Sequence, residues 1–420
     1  MTNFLNVFKI RDLRNKVFII LGLLALFRIM AAIPTPGVNV LALQNLLNSS
    51  QLFSFLNLFS GGGLSNLSIV MLGVGPYITS TIVMQLLTIV FPNLKKIYYE
   101  EGEFGRAKFN RLSRWLTVPF AAIQAFSFIN FLGAQGVLNS LSLTQVLMNV
   151  VIITAGSVAL MWIGELISEQ GIGNGISLII FAGIVSALPS TIQLAISTYT
   201  PQVLPSYIAF LAISIIVIAG VVFINEGERK VPISYARRIR GNKMYGGVSS
   251  YLPLKVNQAG VIPIIFAISL LLFPQFLAQI TGLFSQDLYF KLNDLVTYFF
   301  NNLWLYGALY FILVVIFTYF YTAVTFNPEE ISKNLQKSGG FIPGLRPGDQ
   351  TSKFLGKIIN RTTLFGSIFL GLIAVLPIIV QGITNIQFFT LGGTSILIVV
   401  SVALETMRQV DSQLTVRQYE

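Results

Sequence analysis

Residues able to do chemistry are few in this chain. It has no histidine and no cysteine. That removes the commonest general base, the commonest metal ligand and all thiol, disulfide and iron–sulfur chemistry. The long apolar runs are nearly empty of ionisable side chains. Arg28 sits within a turn or two of the end of the first run, where it could snorkel, and Glu165 lies near the end of the fourth. Coupled solute transport normally needs carboxylates near the midplane, so their scarcity disfavours it, although backbone carbonyls could still hold sodium. Gly171, Gly173 and Gly175 enclose Ile172 and Asn174 in a turn too short for a phosphate loop. No catalytic residue, metal or cofactor is expected, and any conduit must be lined by apolar and small polar groups.

The elements that position these residues belong to a membrane protein. The 420 residues are 54% hydrophobic and 10% charged, with a mean hydropathy of +0.75. Soluble domains carry about 25% charged residues. Runs long enough to span lie at 17–34, 74–92, 115–134, 146–167, 176–195, 205–225, 258–280, 303–325, 362–381 and 391–408. Ten runs put both termini on one side. The first follows Lys9, Arg11, Arg14 and Lys16 and lacks a cleavage site, so it reads as a retained span.

Charge supports this count. Of the 27 basic residues, all but Arg28 and Lys291 fall on one side: four before the first span and two at or beyond the last. Six lie between spans two and three, seven between six and seven, and six between eight and nine. The positive-inside rule makes that side, with both termini, cytoplasmic. The segments at about 226–257 and 326–361 are long, polar and basic. Topology signalling with attraction to anionic lipid is one reading, and a docking face for a large cytosolic partner is the other. Loop length favours the second.

Segment 61–76 is apolar but short and glycine-rich. Irregular backbone at membrane depth survives only where it lines a cavity or is buried in protein, so a re-entrant segment is favoured over a surface loop. Ten spans also divide as five plus five, and halves with an odd number of spans would be inverted relative to each other.

Nine blocks, in order, resemble the SecY family of protein-conducting channels. They are Phe27–Ile29 with Ile33–Gly37, Pro76–Ile78 with Gln85–Leu87, and Glu101–Glu103 with Gly105 and Arg106. Then come Gly171–Val185, Tyr235–Arg238, Leu252–Pro263, Phe326–Pro328, Gly340–Gly348 and Gly392–Ser395. The resemblance implies an all-α polytopic membrane protein with ten transmembrane helices in two pseudo-symmetric inverted halves of five, 1–200 and 201–420. Its function would be to pass unfolded secretory chains across the membrane and to release transmembrane segments sideways into lipid. A secondary solute transporter with a five-plus-five inverted repeat is the alternative. An insertase-like relative is disfavoured by the plug-like segment.

Carried over by motif, a constricting ring of aliphatic side chains falls on Val74, Ile78, Ile180, Ile184, Ile265 and Ile398. Two of its pairs are spaced i, i+4, and each pair faces one way from its helix. Aliphatic rings can close a pore by dewetting yet yield to a bulky chain. Taken singly, each of these residues reads far more readily as packing or lipid-facing, and only the motif alignment selects the six; valine at 74 would loosen the seal slightly. The family's plug, a short helix below the ring, would be Gly61, Gly62, Gly63, Leu64, Ser65, Asn66, Leu67, Ser68, Ile69, Val70, Met71, Leu72 and Gly73.

The lateral gate would lie between spans two and seven. Gln85 would be either a gate residue or a helix–helix hydrogen bond. Arg237, Arg238 and Arg346 would dock the ribosome and the SecA ATPase. Further implied partners are SecE, SecG, signal sequences, unfolded precursor chains and membrane lipid. Gln170, where the family often has an arginine, carries no expected partner contact. The implied location is the plasma membrane, multi-pass, with a thylakoid membrane as the alternative.

Overall fold

The computed structural model describes residues 10–35, 57, 60–99, 101–134, 136–138, 142–197, 201, 204–235, 238–240, 243–245, 249–281, 286–384 and 388–418. Each of the ten apolar runs falls on a helix. In order these are α1 (Arg11–Ala32), α2 (Gly75–Val90), α4 (Gly102–Ala134), α5 (Leu143–Glu169) and α6 (Gly175–Ser197). The series continues with α7 (Leu204–Glu226), α8 (Ile262–Thr281), α10 (Leu303–Thr325), α12 (Asp349–Thr384) and α13 (Phe388–Gln418). Six described helices are long and apolar enough to cross a membrane by themselves, and a bent pair raises this to seven.

The bend has a local cause. Pro92 opens the short helix α3 (Pro92–Tyr99) and forces the preceding Phe91 into an extended conformation, φ −107° and ψ 107°. The chain turns by 115° there. Sequence reading placed the apolar run correctly and missed α3. It also missed α9 (Gln286–Asn301), whose exposed side mixes Asp287, Lys291 and Asp294 with Leu288 and Leu295.

Helix ends are fixed by their own residues. Ser142 and Gln145 form a reciprocal capping box on α5, and Asn302 caps α10 through Leu305 N–H. The helix α11 (Pro328–Lys337) is capped by Asn327 on Glu329 N–H and Glu330 N–H. It carries acids in its first turn and Lys337 in its last, as the helix dipole favours.

One face of each span goes inward. In α1 the buried residues Leu13, Ile20, Phe27 and Ala31 form a single stripe, while Phe18, Leu21 and Ile29 are exposed to the surroundings. One hydrophobic cluster takes in α1, α2, α4 to α8, α10, α12, α13 and segment 64–74. Small residues allow close approach: an added Cβ at Gly371 would strike the Phe311 ring of α10, and one at Gly307 would press on Val375 of α12.

The helical architecture carries two small sheets that the all-α expectation did not include. β1 (Glu228–Tyr235) pairs antiparallel with β4 (Ser249–Lys255), while β5 (Gly340–Phe341) adds to its other edge through Ser234↔Phe341 and Tyr235↔Gly340. β2 (Arg238–Arg240) and β3 (Lys243–Tyr245) form a separate hairpin.

Segment 61–73 also departs from expectation. It is a succession of turns, with bonds such as Ser68 N–H to Gly63 O (2.8 Å) and Gly73 N–H to Val70 O (2.8 Å). Positive φ at Gly61 (66°), Gly62 (81°), Leu67 (41°) and Gly73 (57°) is incompatible with a continuous right-handed helix.

Candidate functional site

Segment 61–73 is seated in the bundle. Leu64, Leu67 and Val70 are buried against the main cluster. Two glycines on neighbouring helices let backbone meet backbone. A Cβ added at Gly156 of α5 would overlap Ile69 O, and one at Gly183 of α6 would overlap Gly61 Cα. The end of α1 holds the segment through an isolated antiparallel bridge at Pro34↔Ser68.

The six aliphatic positions share one environment. Val74 precedes α2 and Ile78 stands one turn along it, with Ile78 N–H bonding Val74 O at 3.1 Å. Ile180 and Ile184 lie on α6, Ile265 on α8 and Ile398 on α13. All six are at most 4% exposed and belong to the main cluster with Leu64, Leu67 and Val70 of the seated segment. Helix α8 packs on both α2 and α4, which sets spans two and seven side by side. Gln85, on α2, is buried, and its Oε1 has no hydrogen-bond partner among the described residues.

The two basic segments form one unit. Val231, Leu254, Ile342, Leu355, Ile358 and Ile359 make a second, smaller core that joins β1, β4, the residue after β5 and the first turns of α12. Arg346 is exposed on a loop pinned at both ends. Gly344 (φ 83°) and Gly348 (φ 103°) turn the chain, Thr351 Oγ1 donates to Arg346 O (3.0 Å), and Ser332 Oγ donates to Gly348 O (2.6 Å). Its guanidinium forms no ion pair among the described residues. Arg238 opens β2, while Arg237 lies outside the described residues.

Several contacts escaped sequence reasoning. Arg28 Nη1 donates to Gly61 O at 2.5 Å instead of snorkelling away from the bundle. Glu165 is paired with Arg114 of α4 at 2.7 Å. The turn at Gly171–Gly173 docks on α13: Gln413 Nε2 donates to Gly171 O (2.7 Å), and Gly173 N–H donates to Gln409 Oε1 (2.5 Å). Asn225 Nδ2 donates to Ser401 Oγ (3.0 Å), Asn257 Nδ2 donates to Asn225 Oδ1 (2.8 Å), and Arg408 pairs with Glu226 (2.6 Å). All join residues far apart in sequence, so no spacing signals them.

A polytopic bundle with buried aliphatics, a seated glycine-rich segment and a folded basic face has the form of a membrane channel. The SecY family model matches residues 68–407. The chain is 40% identical to the protein translocase subunit SecY of Mycobacterium tuberculosis, over 100% of this chain and 99% of that one. It is 41% identical to the same subunit of Aquifex aeolicus, over 99% and 97%. Its fold matches a solved protein-conducting channel with a TM-score of 0.64 at 21% identity, covering 94% of this chain and 91% of that chain. It also matches Sec61 from a canine ribosome–channel complex, with a TM-score of 0.60 at 20% identity over 94% and 91%. The chain belongs to the SecY family, and it is a multi-pass membrane protein.

Proposed function

We infer that the chain is the conduit of a protein translocase, passing unfolded secretory chains across the membrane and releasing transmembrane segments laterally. The observation that carries this is the end-to-end similarity to curated protein translocase subunits. In this reading Val74, Ile78, Ile180, Ile184, Ile265 and Ile398 are the constriction, and 61–73 is its plug. Gln85 faces the gate between α2 and α8. The burial of all six aliphatics beside the plug supports a dry closed state, because side chains with no fixed charge exclude water without trapping a passing peptide.

The halves 1–200 and 201–420 would move as two units. Arg237, Arg238 and Arg346 would receive the ribosome or SecA, whose phosphates and carboxylates suit the planar guanidinium. SecE and SecG would complete the complex, in a plasma membrane with both termini cytoplasmic. Energy would come from the partners, and the chain itself would make and break no covalent bond.

Because the chain has no cysteine, single cysteines can be placed at will. A precursor stalled in transit and carrying one thiol should cross-link to Ile78→Cys, Ile180→Cys and Ile398→Cys. It should not reach Phe223→Cys, on the exposed face of α7. Equal cross-linking at Phe223→Cys would contradict the placement of the pore.

A further inference from the structure

The end of α1 and segment 61–73 are joined at two separate points. At one, Ile69 N–H donates to Ile33 O (3.0 Å) and Thr35 N–H donates to Leu67 O (2.8 Å). These bonds bracket Pro34 and Ser68 as a facing pair, and Thr35 Oγ1 donates to the same Leu67 carbonyl at 2.7 Å. At the other, two turns back along α1, Arg28 Nη1 donates to Gly61 O. Phe27 beside it is fully buried against Gly61.

We propose that this pair of contacts is a latch, and that Arg28 is the positioning residue that sets how readily the plug leaves its seat. The inference rests on the reading of 61–73 as a movable plug. An arginine at membrane depth is tolerated when it is partnered or reaches water. Here the partner is a backbone carbonyl of the segment that moves. Displacing the plug takes that acceptor away, so the guanidinium must find water or remain unpartnered, and either favours return. The seam at Thr35 acts the same way, since three donated bonds are lost together. Ser68 works in the opposite direction. Its Oγ is buried without a hydrogen-bond partner among the described residues, a cost that opening relieves. The closed state is thus held by a few identifiable bonds against an identifiable strain, as a seal that must open and reclose requires.

The test uses the complete translocase in planar bilayers, with ion leak counted per assembled channel. Arg28→Gln should raise the leak by roughly ten-fold or more, the range for losing a hydrogen bond to a charged group. Arg28→Lys should fall between it and the wild type, because an ammonium keeps a charged donor that the glutamine amide lacks. Thr35→Val, which removes only the hydroxyl bond, should raise the leak less. In the same complex, Pro34→Cys with Ser68→Cys places two thiols on a facing non-hydrogen-bonded pair, where Cα atoms stand about 4.5 Å apart and a disulfide fits. Oxidation should lock the resting channel and block precursor passage until reductant is added, and Arg28→Gln should slow that cross-link. A residue that only helped assembly would lower channel number and leave leak per channel unchanged. Wild-type leak and cross-linking in Arg28→Gln, with a raised leak on deleting 61–73, would overturn the latch and leave the plug standing. No added leak on that deletion would overturn both.

Discussion

Arg346 is held at a fixed place with its side chain free to meet a partner. Gly344 and Pro347–Gly348 on either side of it are turn residues, and the bonds from Thr351 and Ser332 fix the loop while leaving the guanidinium exposed. Arg346→Lys should slow motor-driven translocation less than Arg346→Glu does, because a lysine keeps the charge and loses the two-pronged geometry. A wild-type rate in Arg346→Lys, measured at matched channel levels, would point to charge alone, and equal loss in the two variants would point to the planar geometry instead. Gly183 is the contrasting case. In the sequence it is one glycine in an apolar run, and only the fold brings Gly61 against it. Gly183→Ala should destabilise the closed seat by about 1–3 kcal/mol, the usual cost of overpacking. If 61–73 is the proposed plug, that loss should appear as raised ion leak, and wild-type leak would mean that α6 or the segment gives way freely.

Among elements, the apolar helices were legible because a bilayer demands an unbroken window of apolar residues, and that is a local property. The small three-stranded sheet was not legible. β5 is two residues long and pairs with a strand about a hundred residues earlier, so nothing near it in sequence announces it. Segment 61–73 was legible as a break in the span pattern but not in form, since the positive φ at Leu67 belongs to a residue type that rarely adopts it. The second core yields a prediction of its own. Ile342→Ala should cost about 2 kcal/mol or more of local stability, as for other buried isoleucines. It should make the segments around 228–255 and 340–348 sensitive to limited proteolysis while the transmembrane helices stay protected. Uniform resistance would show that the two basic segments fold independently. Gln409→Ala should loosen the 171–173 turn by about 1 kcal/mol, the worth of one hydrogen bond. A lowered melting temperature of the assembled complex would register it, and an unchanged one would mean that the Gln413 bond and the packing of Ile172 hold the turn without it.

For the molecule as a whole, one hydrophobic cluster runs through helices of both sequence halves and through segment 64–74, so under the proposed function the side chains that hold the bundle together would also seal it. That arrangement gives the central claim its most direct measurement. The chain is reconstituted with SecE and SecG in liposomes, supplied with SecA, ATP and an unfolded secretory precursor, and scored for protease-protected precursor. The account predicts ATP-dependent protection that falls about ten-fold or more in Arg346→Glu, a loss equal to one charge-assisted contact. An absence of protection, with the motor active and a control channel working alongside, would contradict it.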